Sequence, residues 1–343
     1  MHGPPWARAI VIAGLAGLPA SAGHAESPAD FYKGKTVELI VGSSVGGGYD
    51  IYGRMLARHL GKHIPGHPTV IVRNMEGAGG LRLANWLYNV APKNGTVIGT
   101  FGRGIPFDPI LAGRSAQFDA NRFNWIGSMN DEVSVCVAWQ DAGIAKFEDL
   151  VTTELVVGGT GSTAGSDIYP RVVNGVLGTK MRVISGYPGG NDITLAMQRG
   201  EVKGRCGWSW SSVKTNHRPW IEDKTLTLLF QLGLEKHPDL PQVPLVMEFA
   251  KTDEQRQILR LVLAQQVLGR PFAAPPGVPA DRVEALRQAF LDTMKDPELL
   301  AEADKAQLEI TPVPGEAIQT LVREVYETPP EVGQKAAALL SAK

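Results

Sequence analysis

The sequence predicts an α/β fold of two lobes, and three observations carry that expectation. Short β-branched runs alternate with stretches of helical apolar spacing, the pattern of parallel βαβ units. Three glycine-rich segments, within 41–50, 74–80 and 158–165, each follow such a run. The alternation then occurs a second time and is followed by a mostly helical remainder, which fits a first lobe resumed after a second is inserted.

The elements follow in order. Thr36-Val37-Glu38-Leu39-Ile40-Val41 reads as a strand, and Ile51, Met55, Leu56 and Leu60 give one apolar face to a helix over 50–63. A strand at 69–73 precedes a glycine turn and a helix near 80–91, with Leu83, Trp86, Leu87 and Val90 at helical spacing. Thr96 to Thr100 is the third strand. The second set starts near residue 133 and has strands at 155–157, 181–184 and 225–230, with helices at 168–177 and 192–199. Helices at 252–268, 279–295 and 315–327 complete the chain. The resulting boundaries are residues 26–132 plus 233–343 for one lobe and 133–232 for the other.

The order strand, glycine turn, helix start gathers backbone N–H groups that lack intrahelical partners at the positive end of a helix, an arrangement suited to anions. The first such loop contains Ser43, Ser44, Val45, Gly46, Gly47 and Gly48, followed by Asp50. The second contains Gly77 and Ala78, and the third Thr160, Gly161, Ser162, Thr163 and Ala164. No lysine accompanies any of them to grip phosphate, so they point to a carboxylate. Charge-assisted hydrogen bonds contribute about 1.5–3 kcal/mol each, enough for two or three to hold one. Ligand crevices in open sheets lie beyond the carboxyl ends of the strands, where all three loops sit, so they are expected to converge on one cleft. Arg103, after the third strand, either reaches that cleft or lies on the surface. Trp208 and Trp210, two apart in a strand, would face one side and either wall the cleft or pack in the hinge.

Composition excludes several function classes. A net charge of −1 over 343 residues leaves no basic field for nucleic acid. Arg8, an apolar run over 9–18 and the small residues near Ala22 and Ala25 make residues 1–25 a secretory signal, hence an exported product. In an exported compartment the two cysteines, Cys136 and Cys206, either form one bridge or stay as buried thiols. Gly42-Ser43-Ser44-Val45-Gly46 satisfies G-x-S-x-G and makes a secreted esterase with nucleophile Ser44 the enzymatic alternative, with His217 and His237 downstream. It sits on the first strand without a neighbouring oxyanion loop, which argues against that reading. The phosphate-loop and dinucleotide fingerprints both fail at Gly48, Tyr49 and Ile51. His59, His63 and His67 lack the glutamate of a zinc motif and read as a solvated basic helix end. No metal or cofactor is expected.

Gly46-Gly47-Gly48-x-Asp50, Val72-x-Asn74-x-x-Gly77-Ala78-Gly79-Gly80, Ala91-Pro92-x-x-Gly95-Thr96 and Pro275-Pro276-Gly277-Val278-Pro279 resemble the Bug family, the TctC-type solute-binding proteins of tripartite tricarboxylate transporters. The resemblance spans the mature chain. It implies a two-lobed periplasmic binding protein, type II-like, with a carboxylate enclosed between the lobes by loop amides and ordered waters. Such a protein is not an enzyme, is a monomer and delivers its ligand to membrane permease subunits; a sensor for a membrane kinase is the non-transport alternative. Gly42-Ser43-Ser44-Val45 departs from the family's Pro-Phe-Ala-Pro-like segment, so the usual ligands do not carry over. Asp50 is expected to cap its helix or order water, and Tyr187, Asn191 and Asp192 to line the second lobe.

Overall fold

The computed structural model describes residues 1–3, 26–43, 45–111, 116–161, 164–187 and 189–341. The expected signal segment falls outside these residues except for its first three positions, as do Ser44, Ser162 and Thr163. The strands are β1 (Thr36–Val41), β2 (Thr69–Asn74), β3 (Val97–Thr100), β4 (Asn124–Ser128), β5 (Ser134–Trp139) and β6 (Leu155–Gly159). They continue with β7 (Met181–Ser185), β8 (Gly204–Ser209), β9 (Leu226–Leu232), β10 (Pro271–Ala274) and β11 (Val313–Pro314). One sheet has the order β11-β4-β10-β3-β1-β2, the other β7-β6-β8-β5-β9.

β1 lies between β2 and β3 and is apolar because both its faces are covered. Val37, Leu39 and Val41 pack on Tyr52, Met55, Leu56 and Leu60 of the Gly48–Leu60 helix. Ile40 packs on the opposite side with Leu83 and Leu87 of the Leu81–Asn89 helix. The register aligns Val41 with Asn74 and with Thr100, so the loops after β1, β2 and β3 leave the sheet at one level. In the second sheet Gly159 aligns with Ser185, which puts the third glycine loop beside the loop carrying Tyr187.

The sheets are less parallel than the alternation predicts. β10 enters antiparallel between β3 and β4, and β5 runs antiparallel to both β8 and β9. β4 escapes sequence detection because Gly127 interrupts its apolar run. That glycine leaves room for the Phe290 ring against the strand. A second difference concerns Trp210: β8 stops at Ser209, and Trp210 starts the helix Trp210–Asn216, so it does not share a strand face with Trp208.

The chain crosses from the first sheet to the second between Ser128 and Ser134 and returns between Leu232 and Pro271. The two crossings run side by side: Glu132 N–H donates to Gln266 O at 2.9 Å and Gly269 N–H to Asn130 O at 3.1 Å. Cys136 of β5 and Cys206 of β8 are disulfide-bonded across neighbouring strands, which decides between the two states open to them in the sequence. The Met181 sulfur packs 3.8 and 3.4 Å from the two cysteine sulfurs.

Candidate functional site

The first loop is held from beneath by Asp50. Its buried carboxylate accepts from Gly46 N–H at 2.8 Å, Arg54 Nε at 2.9 Å and Asn74 Nδ2 at 2.9 Å. Asn74 Nδ2 also donates to Ser43 O at 2.8 Å, and Arg54 donates to Asn74 Oδ1 at 2.9 Å. Burial alone would raise the Asp50 carboxyl, but the bonds from Arg54, Gly46 and Asn74 outweigh it and keep it below the usual carboxylate range. Asp50 thus acts as a cap that reaches backwards, fixing the loop rather than presenting its charge. Val45 projects from the loop tip, 69% exposed.

The second loop touches the first. A Cβ on Gly42 would lie 3.0 Å from Gly80 Cα, and one on Gly80 would lie 2.9 Å from Phe101 Cβ, so the ends of β1, β2 and β3 close on one another through bare backbone. Ala78 holds φ 48, a left-handed conformation that non-glycine residues seldom keep away from constrained sites.

In the third loop two amides are already engaged. Thr160 N–H donates to Ser166 Oγ at 3.0 Å and Gly161 N–H to the buried Asp167 carboxylate at 3.0 Å. Both partners belong to the Gly165–Leu177 helix that the loop feeds. This differs from the picture of a loop whose amides all face the ligand; here they shape it, leaving the helix's own first turn. Ala164 at that N-cap makes no side-chain cap, nor does Gly47 before the Gly48–Leu60 helix or Gly189 before the Gly190–Gln198 helix. By contrast, the Asp253–Leu263 helix is closed by a capping box of Thr252 and Gln255. Uncapped first turns leave N–H groups for water or ligand.

Arg103 joins the two sheets. Its backbone N–H donates to Tyr49 Oη at 2.9 Å in the first lobe, and its Nη2 donates to Ser134 Oγ at 2.9 Å on β5. Four participants escaped sequence reasoning: Tyr49, Glu132, Tyr169 and Arg270. The Arg270 guanidinium lies over the rings of Tyr49 and Tyr52, at 5.0 and 4.9 Å, and 3.7 Å from the buried Glu132 carboxylate. Glu132 also accepts from Ser211 Oγ at 3.1 Å. The run of polar residues 130–132 between two apolar strands was the available signal for Glu132; nothing local marked the others.

Tyr187 is half-buried after β7, and Asp192 is exposed in the first turn of the Gly190–Gln198 helix. Trp208 is buried, with the Arg205 guanidinium 4.3 Å over its ring and His217 at its edge, 4.9 Å away. His217 also lies 4.4 Å from Trp220, and burial and Arg205 lower its pKa. His59 is buried rather than solvated, 2.8 Å from Glu302, and His63 sits 2.7 Å from Asp296. The Lys62 ammonium, 2.6 and 2.8 Å from Asp296 and Glu298, supplies the cation those carboxylates face.

His237 belongs to a second bridge between the sheets. Its Nε2 lies 3.7 Å from Glu309, which Lys214 of the Trp210–Asn216 helix also reaches at 3.2 Å, while Lys214 pairs with Asp239 at 2.6 Å. The Glu309 carboxylate raises the His237 pKa. A raised pKa stabilises the protonated, folded form below the unfolded value of about 6.5 and loses that contribution as pH climbs through the folded value. A His237→Gln variant is therefore expected to melt lower than the parent at pH 5.5 and level with it above pH 8; parallel melting curves across that range would refute the pair's role.

No protein-family model matches the chain. A UPF0065 protein from the gbd 5′ region of Cupriavidus necator is 26% identical over 309 residues, covering 87% of each chain. The TctC solute-binding protein from Polaromonas superposes with TM-score 0.66 at 20% identity, over 89% of this chain and 99% of that one. The periplasmic binding protein BugD gives 0.66 at 21% identity, over 89% and 98%. The fold is that of the TctC and Bug solute-binding proteins. MatC of Rhodopseudomonas palustris, solved with malate bound, shares this TctC/Bug fold at TM-score 0.64 and 17% identity, over 90% and 99%. Among the described residues, no helix is long and apolar enough to cross a membrane.

Proposed function

We propose that the chain is an exported, periplasmic, non-enzymatic binding protein that captures a small organic carboxylate and hands it to the permease of a tripartite tricarboxylate-type transporter. Residues 26–132 with 233–343 form one lobe and 133–232 the other, and the monomer closes on its ligand about the paired crossings. Hinge closure of this kind brings two half-sites together around a ligand. The observation that carries the reading is Arg103, which bonds Tyr49 in the uncapped first turn of the Gly48–Leu60 helix and Ser134 on β5 of the other sheet. Ser43, Val45 and Gly46–Gly48 with Gly77 and Ala78 form the first wall, placed by Asp50. Thr160, Gly161 and Ala164 form the second, with Tyr187 and Asp192 at its margin and Trp208 behind it. Ser44, Ser162 and Thr163 belong to the same two loops and supply hydroxyl donors. The TctC/Bug fold and the malate bound to MatC support a carboxylate as the ligand class.

The test is a thermal-shift screen of the mature protein, unfolded and refolded to strip carried ligand, against mono-, di-, tri- and aromatic carboxylates. A ligand at about 100 times its Kd adds about 2.7 kcal/mol, a rise of several degrees. The shift should shrink in Thr160→Val. No shift with any carboxylate, together with labelling of Ser44 by a fluorophosphonate, would overturn the proposal in favour of an esterase.

A further inference from the structure

Beneath the first glycine loop lies a buried cation that the loop's own hydrogen bonds do not use. Arg270 stands on the returning crossing, directly before β10, and only 6% of it is exposed. A Cβ on Gly48 would lie 3.3 Å from its Nη2 and 3.8 Å from its Nε, so the guanidinium sits against the first residue of the Gly48–Leu60 helix. That helix start has no side-chain cap, which leaves its N–H groups for water or ligand. The rings of Tyr49 and Tyr52 flank the guanidinium at 5.0 and 4.9 Å, and its Nη1 donates to Gly269 O at 2.7 Å.

The Arg270 charge is only partly compensated. Among the described residues Glu132 is the carboxylate within ion-pair reach, and at 3.7 Å from Nη2 it stands beyond hydrogen-bond distance. Glu132 instead accepts from Ser211 Oγ at 3.1 Å, on the Trp210–Asn216 helix of the other lobe. The Arg270 Nε is buried and has no hydrogen-bond partner among the described residues. A cation in this position keeps a positive potential that solvent screens little. The helix start beside it carries partial positive charge as well. The two repel each other, and an anion seated at the loop relieves both.

We infer that Arg270 is a positioning residue of the first anion loop, supplying from beneath Gly48 the net charge that backbone amides lack, and that Glu132 sets how much of that charge a bound anion feels. This inference rests on the carboxylate-binding reading above. The loop then needs no lysine of its own, because its cation comes from the returning crossing.

Titration calorimetry on the refolded mature chain tests it with malate, adipate and benzoate and, should none of these bind, with the screened acid of largest thermal shift. Arg270→Gln should weaken binding at least about tenfold, and Arg270→Lys, which keeps the charge, by clearly less. The deciding variant is Glu132→Gln, which keeps the shape and removes the counter-charge. Without ligand it should melt below the parent, because Arg270 is left buried and unpaired. It should nonetheless bind the acid about threefold more tightly or better. A strut between the crossings does not move stability and affinity in opposite directions. If Glu132→Gln binds no more tightly than the parent, or Arg270→Gln stays within about twofold of it, the pair is structural and the inference is refuted. An Arg270→Lys protein as weak as Arg270→Gln assigns the loss to shape and refutes it too. Should Arg270→Gln fail to refold, the sign of the change in Glu132→Gln decides alone. If no acid binds the parent, the carboxylate reading falls first and this inference with it.

Discussion

A double variant, Cys136→Ala with Cys206→Ala, should unfold about 4 kcal/mol more easily than the parent. The bridge closes a loop of 70 residues, and removing a cross-link of that span restores about 4 kcal/mol of chain entropy to the unfolded state. Both cysteines are fully buried against Met181, so the truncation adds a cavity to the entropy effect. The bridge joins β5 to β8 in the middle of the second sheet, where β8 is also paired with β6 and β5 with β9. Urea denaturation should show the midpoint falling in the double variant and, to a smaller degree because both sulfurs remain, in the parent under reductant. A loss below about 1 kcal/mol would mean that strand packing alone holds the sheet, and the cross-link argument would be wrong.

Asp50→Ala is expected to cost about 3 kcal/mol, with ligand affinity falling in the same variant. The carboxylate accepts three bonds from Gly46, Arg54 and Asn74, and its removal strands the Gly46 N–H and leaves the Asn74 amide to hold the loop through Ser43 O alone. Arg54 contributes less to the penalty, because its side chain is 38% exposed and water takes over part of its charge. The pH dependence separates this from a plain packing defect. A carboxyl depressed in the folded state stabilises the protein above its unfolded pKa of about 3.9, and the contribution disappears as pH falls through the lower folded value. The gap in melting temperature between the parent and Asp50→Asn should be full at pH 7 and close progressively below about pH 4. A gap that persists unchanged into acid would assign the effect to shape and not to charge.

The first lobe was legible where its signals are local. β1, β2 and β3 and the helices after β1 and β2 lie within about three residues of the periods read from Thr36 to Thr100, because each buries an apolar face whose spacing is written in consecutive residues. β4 was not legible: Asn124, Gly127 and Ser128 look like loop chemistry, and only the Phe290 ring seated on Gly127 explains why that run is a strand. Trp210 misled for a related reason, since alternation with Trp208 describes a strand face only if the strand continues, and β8 ends one residue earlier. In the site, the glycine loops announced themselves by composition. Their internal wiring did not, because Ser166 and Asp167 reach back six residues to Thr160 and Gly161 from a helix whose start no spacing rule marks.

The sequence by itself determined the α/β class, the three strand–glycine–helix junctions and the absence of any lysine to make them phosphate sites. Those follow from neighbours along the chain and from backbone freedom at glycine, which tertiary contacts do not have to supply. Only the tertiary structure decided that β10 returns between β3 and β4, that Cys136 meets Cys206, and that Arg103 stands beside Tyr169 with Glu132 already shared by Arg270. Each of these joins residues dozens of positions apart. Long-range pairings have no local signature because the free energy that selects them, burial of charge and apolar surface at a shared interface, exists only once the lobes have formed.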